Sequence, residues 1–119
     1  MGLCLRNKVL GLHGYVRIAR ELTGIARDGL KMRIQFFDPY VTSAKDNKVS
    51  TLEELYSTSD IVSIHVPLNQ ETQNTVNSKL LSLVKKDFIL VNTTRGLIVN
   101  TEDILQELQK GRIYYGCDV

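Results

Sequence analysis

Residues 9–19, VLGLHGYVRIA, run from a short apolar segment into a turn and the start of a helix. Gly14 supplies the conformational freedom of a tight turn, and Ala19, five positions on, is small enough for a helix to lie close on a strand. This is the spacing of a loop that receives a dinucleotide's pyrophosphate at a helix N-terminus, with one departure: Val16 stands where the pattern has its second glycine. A β-branched residue there is expected to crowd the phosphates and to resist left-handed backbone angles, at about 1–3 kcal/mol of strain. Binding would weaken about tenfold or more. Asp38 closes a second apolar run 24 residues after Gly14, near the separation at which a carboxylate accepts the hydroxyls of an adenosine ribose. Standing before Pro39, it could be only a turn former, but with DPY intact the ribose role is preferred. Arg95, between Thr94 and Gly96, offers a planar, permanently charged fork that pairs with a carboxylate as lysine cannot.

Such residues work together only if a scaffold gathers them. Five runs, at 9–13, 33–38, 61–66, 88–93 and 113–118, are near-continuous in apolar or β-branched residues, as suits strands covered on both faces. Helical segments lie between them. Residues 17–28 space Ile18, Leu22 and Ile25 three or four apart, which predicts these three as the core-facing side. LEELYS follows a Ser50 or Thr51 cap with its acids in the first turn, and SKLLSLV at 78–84 groups Leu80, Leu81 and Val84. The last helix, TEDILQELQKG, has Asn100 or Thr101 as cap and Gly111 as stop. Strand and helix in strict alternation predict one α/β domain over 1–119, a doubly wound parallel sheet of about five strands with helices on both faces. Periodicity alone does not separate a Rossmann-type from a flavodoxin-like strand order. In either, ligands gather beyond the carboxyl ends of the strands, where Gly14, Asp38 and Arg95 fall.

Composition removes several alternatives. The two cysteines, Cys4 and Cys117, have no CxxC spacing, so neither a disulfide framework nor a zinc site is expected and a reducing cytoplasm fits. A net charge of +2 with interleaved signs lacks the basic stripe of a nucleic-acid binder. No apolar run approaches the roughly 20 residues of a membrane span, and no secretory leader is expected from MGLCLRNK. Arg6 stands where N-myristoylation wants Ser or Thr, and the Asn-Thr-Thr at 92–94 closes an apolar strand, so neither lipid nor glycan is expected.

The longer motifs are more specific. FFDPY at 36–40, TLEELYSTSDIVSIHVPLNQETQNTVN at 51–77, LVNTTRGLIVN at 90–100 and GCDV at 116–119 stand in an order that resembles the NAD-binding domain of the D-isomer-specific 2-hydroxyacid dehydrogenases. The likeness covers nearly the whole chain. It implies a Rossmann-type fold, NAD as cofactor and a small 2-hydroxy or 2-oxo acid as the parent protein's substrate. Gly14, Tyr15, Val16, Arg17 and Ile18 would form the cofactor loop. Asp38 and Pro39 would hold the adenosine ribose, the charge repelling a 2′-phosphate and favouring NAD over NADP. His65, Val66 and Pro67 would line the adenine and ribose side, Thr93 and Thr94 the nicotinamide half, and Asp118 would contact the carboxamide. Arg95 would be the catalytic-site arginine, binding the substrate carboxylate and polarising the carbonyl that receives hydride. His65 is not the family's proton-transferring histidine and is expected to be a packed, hydrogen-bonded residue. His13 stands where relatives have an aliphatic side chain, and its burial would require a hydrogen-bond partner.

In that family a glutamate and a histidine further along the chain complete the site, the histidine exchanging a proton with the substrate oxygen. General acid catalysis of this kind contributes about 100-fold to 10,000-fold. The expectation is therefore an NAD-dependent oxidoreductase acting on the CH–OH of 2-hydroxy acids as the parent, with these 119 residues a module not competent for turnover alone. Two other readings remain: an NAD-sensing, corepressor-like binding module, or a folded remnant that binds nothing, signalled by Val16 and His13 together. An uncovered edge at the fifth strand predicts self-association into a homo-oligomer.

Overall fold

Alternation along the strands divides the interior in two. In β1 (Val9–His13), Leu10 and Leu12 leave on one face while Gly11 and His13 leave on the other. The same period places Ile34 and Phe36 of β2 (Arg33–Phe37) with the first face, and Val62 and Ile64 of β4 (Ile61–Ile64) with the second. The computed structural model describes residues 6–41, 47–66, 72–92 and 98–117. Between β1 and β2 lies α1 (Arg17–Gly24), continued by a π-helical turn over Ile25–Gly29. After β2 come β3 (Asn47–Lys48), α2 (Leu52–Thr58), β4, α3 (Ser78–Leu81), β5 (Phe88–Asn92), α4 (Thr101–Gln109) and β6 (Ile113–Cys117).

All strand pairs are parallel, in the order β3-β2-β1-β4-β5-β6. That order is Rossmann-type and excludes the flavodoxin-like alternative. The sheet has six strands rather than about five. The additional strand, β3, is a two-residue edge of exposed Asn47 and Lys48, with no apolar run to announce it. Helices α2, α3 and α4 pack one face around Leu55, Tyr56, Leu80, Leu81 and Ile104, and α1 with its π-helical continuation covers the other with Ala19 and Ala26. None of the described helices is long and apolar enough to cross a membrane.

Caps fix where the helices begin. Thr51 Oγ1 accepts from the Glu54 amide at 3.1 Å, Asn77 Oδ1 from Leu80 at 3.2 Å, and Asn100 Oδ1 from Asp103 at 3.1 Å, each satisfying an otherwise orphaned first-turn donor. The segment 78–84 is α-helical only over Ser78–Leu81. The chain then tightens, with the Leu83 and Val84 amides donating to the carbonyls of Leu80 and Leu81, which keeps Val84 in the core.

The largest correction concerns α1. Periodicity predicts Ile18, Leu22 and Ile25 inward, yet Ile18 is 68% and Ile25 65% exposed, and Leu22 is only partly buried. The buried line is Ala19, Thr23 and Ala26. Small side chains let the helix sit close on β1 and β2, so the apolar stripe that spacing alone selects is rotated outward. Accordingly, Ile25→Lys should change stability by no more than about 0.5 kcal/mol, whereas Ala26→Leu should cost about 1–3 kcal/mol by overpacking. Urea unfolding of the two variants checks this, and the opposite ranking would restore the predicted face.

Candidate functional site

Parallel register brings the carboxyl ends of the strands into one row. His13 is opposite both Phe37 and Ile64, Ile64 opposite Asn92, and Asn92 opposite Cys117. The ladder continues one residue further at the centre: the Gly14 amide donates to the Phe37 carbonyl at 2.9 Å and the His65 amide to the His13 carbonyl at 2.8 Å. Gly14, Asp38 and His65 therefore meet where β1 has neighbours leading to opposite halves of the sheet. This is the topological switch point at which open α/β sheets bind ligands.

Gly14 cannot be another residue without displacement. Its φ is +102°, and a Cβ would lie 2.8 Å from Val66 Cγ1 and 3.0 Å from the Val66 nitrogen. Asp38, almost wholly buried, uses both carboxylate oxygens: Oδ2 accepts from the Tyr15 amide and Oδ1 from the Tyr40 amide, each at 2.9 Å. The first bond ties the loop after β1 to the end of β2, and the second is the turn-forming role open to an aspartate before Pro39. Tyr15 is held beneath by stacking on Phe36, ring centroids 4.1 Å apart.

The strain expected at Val16 is absent. Val16 has φ −86° and ψ 178°, an extended conformation that β-branched residues adopt readily, because the positive φ of the turn is taken up at Gly14. What remains of the departure is bulk. Val16 precedes α1 without giving it a side-chain cap, and its half-exposed side chain borders a cavity of about 390 Å³. Gly14, Asp38, Pro39, Tyr40 and Val66 form the walls together with Leu52, Thr72 and Thr75, and His13 lies at its base. Arg17 and Ile18, by contrast, point outward, Arg17 pairing with Glu21 at 3.6 Å. Pro67, Thr93, Thr94, Arg95 and Asp118 lie outside the described residues.

Both histidines are partnered. His13 Nδ1 is 2.9 Å from the hydroxyl of Tyr56, a wholly buried residue of α2 whose ring meets the imidazole edge-on. Burial lowers the His13 pKa from 6.5 to about 4, outweighing the attraction of Asp38 and reinforced by His65. His65, half-buried, has Nε2 2.8 Å from Ser63 Oγ, and burial lowers its pKa as well.

The family model for the D-isomer specific 2-hydroxyacid dehydrogenase, NAD binding domain, matches residues 1–119. The chain belongs to that family. It is 32% identical over 117 residues to the D-3-phosphoglycerate dehydrogenase of Bacillus subtilis, an alignment covering 95% of this chain and 22% of that protein. It superimposes on an NAD-dependent formate dehydrogenase from Staphylococcus aureus in complex with NAD, with a TM-score of 0.90 at 34% identity, covering 98% of this chain and 35% of that one. An acyclic imino acid reductase in complex with NADPH and D-Arg gives a TM-score of 0.93 at 32% identity, covering 99% of this chain and 38% of that one. The chain thus spans between about a fifth and two fifths of the length of these relatives.

Within this NAD-binding domain, spacing locates Gly14 and Asp38 and the family resemblance adds Val66, but both pass over Tyr56, Leu52, Thr72 and Thr75, which come from α2 and the stretch before α3. For Tyr56 the signal was His13 itself, since a buried imidazole requires a partner. The partner's position 43 residues on follows from how α2 lies on β1. A methyl at Gly11 would run into Ser59 Oγ and Leu55, so that packing is close.

The lowered His13 pKa fixes a pH dependence. Between pH 6.5 and about 4 the unfolded imidazole takes a proton that the folded one refuses, so the unfolded state binds more protons and stability falls on acidification through that window. The loss at His13 should approach about 3 kcal/mol by pH 4, with His65 acting in the same direction. Urea unfolding at pH 7 and pH 4.5 checks the slope, and stability that rises on acidification would contradict the buried neutral ring.

Proposed function

We propose that the chain is the cofactor-binding module of an NAD-dependent oxidoreductase interconverting 2-hydroxy and 2-oxo acids, with the adenosine half of NAD seated in the cavity over the β1–β4 junction. The observation that carries the reading is the convergence of Gly14, Asp38 and Val66 on that one cavity. Its volume, about 390 Å³, is within the range usual for small-molecule sites. A carboxylate has about four acceptor positions, so Asp38 keeps capacity for ribose hydroxyls after accepting its two backbone amides. Its negative charge opposes a 2′-phosphate, which favours NAD over NADP. Absence of a Cβ at Gly14 and of a side-chain cap at α1 leaves the loop backbone open to the pyrophosphate.

Bound NAD supplies the nicotinamide carbon between which and the substrate a hydride passes. In the complete enzyme, Arg95 pairs its fork with the substrate carboxylate and polarises the adjacent carbonyl, while Thr93, Thr94 and Asp118 orient the nicotinamide. His65 and Pro67 border the adenosine by shape, and Tyr15, Arg17 and Ile18 complete the loop. The unstrained Val16 and the partnered His13 support a working site over a folded remnant. Among the described residues β6 pairs with β5 alone, and an unpaired strand edge supports self-association.

Calorimetric titration of NAD and NADP tests the assignment. NAD should bind at least about tenfold more tightly than NADP. With strain absent, Val16→Gly should tighten NAD by only about threefold to tenfold through removal of bulk, while lowering folding stability by about 0.5–1 kcal/mol through added chain entropy. Equal affinity for NAD and NADP would remove Asp38 from the ribose.

A further inference from the structure

His13 is a buried polar residue at the end of β1 that lines a largely apolar cavity. The Tyr56 hydroxyl is wholly buried, and among the described residues its hydrogen-bond partner is His13 Nδ1 at 2.9 Å. A buried hydroxyl proton with no acceptor is costly, so the hydroxyl donates and Nδ1 accepts. A neutral imidazole that accepts at Nδ1 carries its proton on Nε2. Nε2 itself has no hydrogen-bond partner among the described residues, while His13 is one of the residues that line the cavity. The open space that His13 borders is the cavity.

We propose that His13 is a cofactor-positioning residue: Tyr56 locks its ring as the Nε2–H tautomer, and that N–H donates a hydrogen bond to an oxygen of the adenosine ribose and phosphate of NAD. The inference rests on the cavity being the adenosine site. Asp38 and His13 then divide the polar work, because Asp38 can only accept and the locked imidazole can only donate toward the cavity. A ribose hydroxyl that donates to the carboxylate still has lone pairs to receive the N–H. Burial keeps the ring neutral at pH 7, as acceptance at Nδ1 requires. With Val16 in place of the loop's second glycine, this donor offers a contact from β1 itself.

Long-range ¹H–¹⁵N correlation of the His13 ring at pH 7, in the full chain with and without NAD, reads the proposal directly. The expected result is Nε2 protonated and Nδ1 not, with the Nε2 resonance moving when NAD is added. Tyr56→Phe should release the lock and give a mixture of tautomers. The paired change His13→Leu with Tyr56→Phe strands no buried hydroxyl, and it should weaken NAD by about threefold to tenfold, the worth of one neutral hydrogen bond. A proton on Nδ1 in the wild-type chain overturns the lock. NAD binding with an unmoved Nε2 resonance overturns the contact while leaving the cofactor site standing. No NAD binding by the wild-type chain overturns the cofactor site, and this inference with it.

Discussion

Two backbones meet at the junction of β1 and β4 with no room for a side chain between them. Gly14 leaves β1 at φ +102° directly against Val66, and the ladder holds both there through the bonds of Gly14 to Phe37 and of His65 to His13. Because every pair is parallel and in register, the residues after β1, β2 and β4 cannot move independently of one another. The cavity exists because three chain exits diverge from one row. A methyl group at position 14 would push β4's exit away and open that row.

Asp38 secures the arrangement electrostatically. A buried carboxylate is unfavourable unless its lone pairs are met, and the Tyr15 and Tyr40 amides meet two of them. One of those bonds reaches across strands to the loop after β1, so the charge that could recognise a ribose also holds the loop that would receive the phosphates. Structural and recognition roles coincide in one side chain. The loop is thereby organised in advance of any ligand, which limits the ordering cost on binding.

On the other side of β1, His13 and Tyr56 place a hydrogen-bonded polar pair within an apolar cluster of Leu55, Val62 and Ile64. Burial keeps the imidazole neutral at physiological pH, and in the proposed lock the tyrosine fixes which nitrogen bears the proton. The pair joins α2 to the strand end beneath the cavity, linking the packing of that helix to the chemistry of the pocket floor.

The amino-acid sequence by itself determined the central strands, the α/β class, the turn at Gly14 and the carboxylate at the end of β2. Runs of apolar residues report burial on both faces, and punctuation by Gly, Asp and Pro reports where strands stop. It did not determine that α1 buries Ala19, Thr23 and Ala26 rather than its isoleucines, because period marks a stripe but not how closely the neighbouring sheet approaches. Nor could it mark the polar edge strand β3, whose pairing comes from β2 rather than from any pattern of its own. Only the tertiary structure decided that Val16 is extended while Gly14 bears the positive φ, and that Tyr56 lies against His13. A dihedral angle in a tight loop and a contact 43 residues apart are both set by how the chain closes on itself, and neither is written in local sequence.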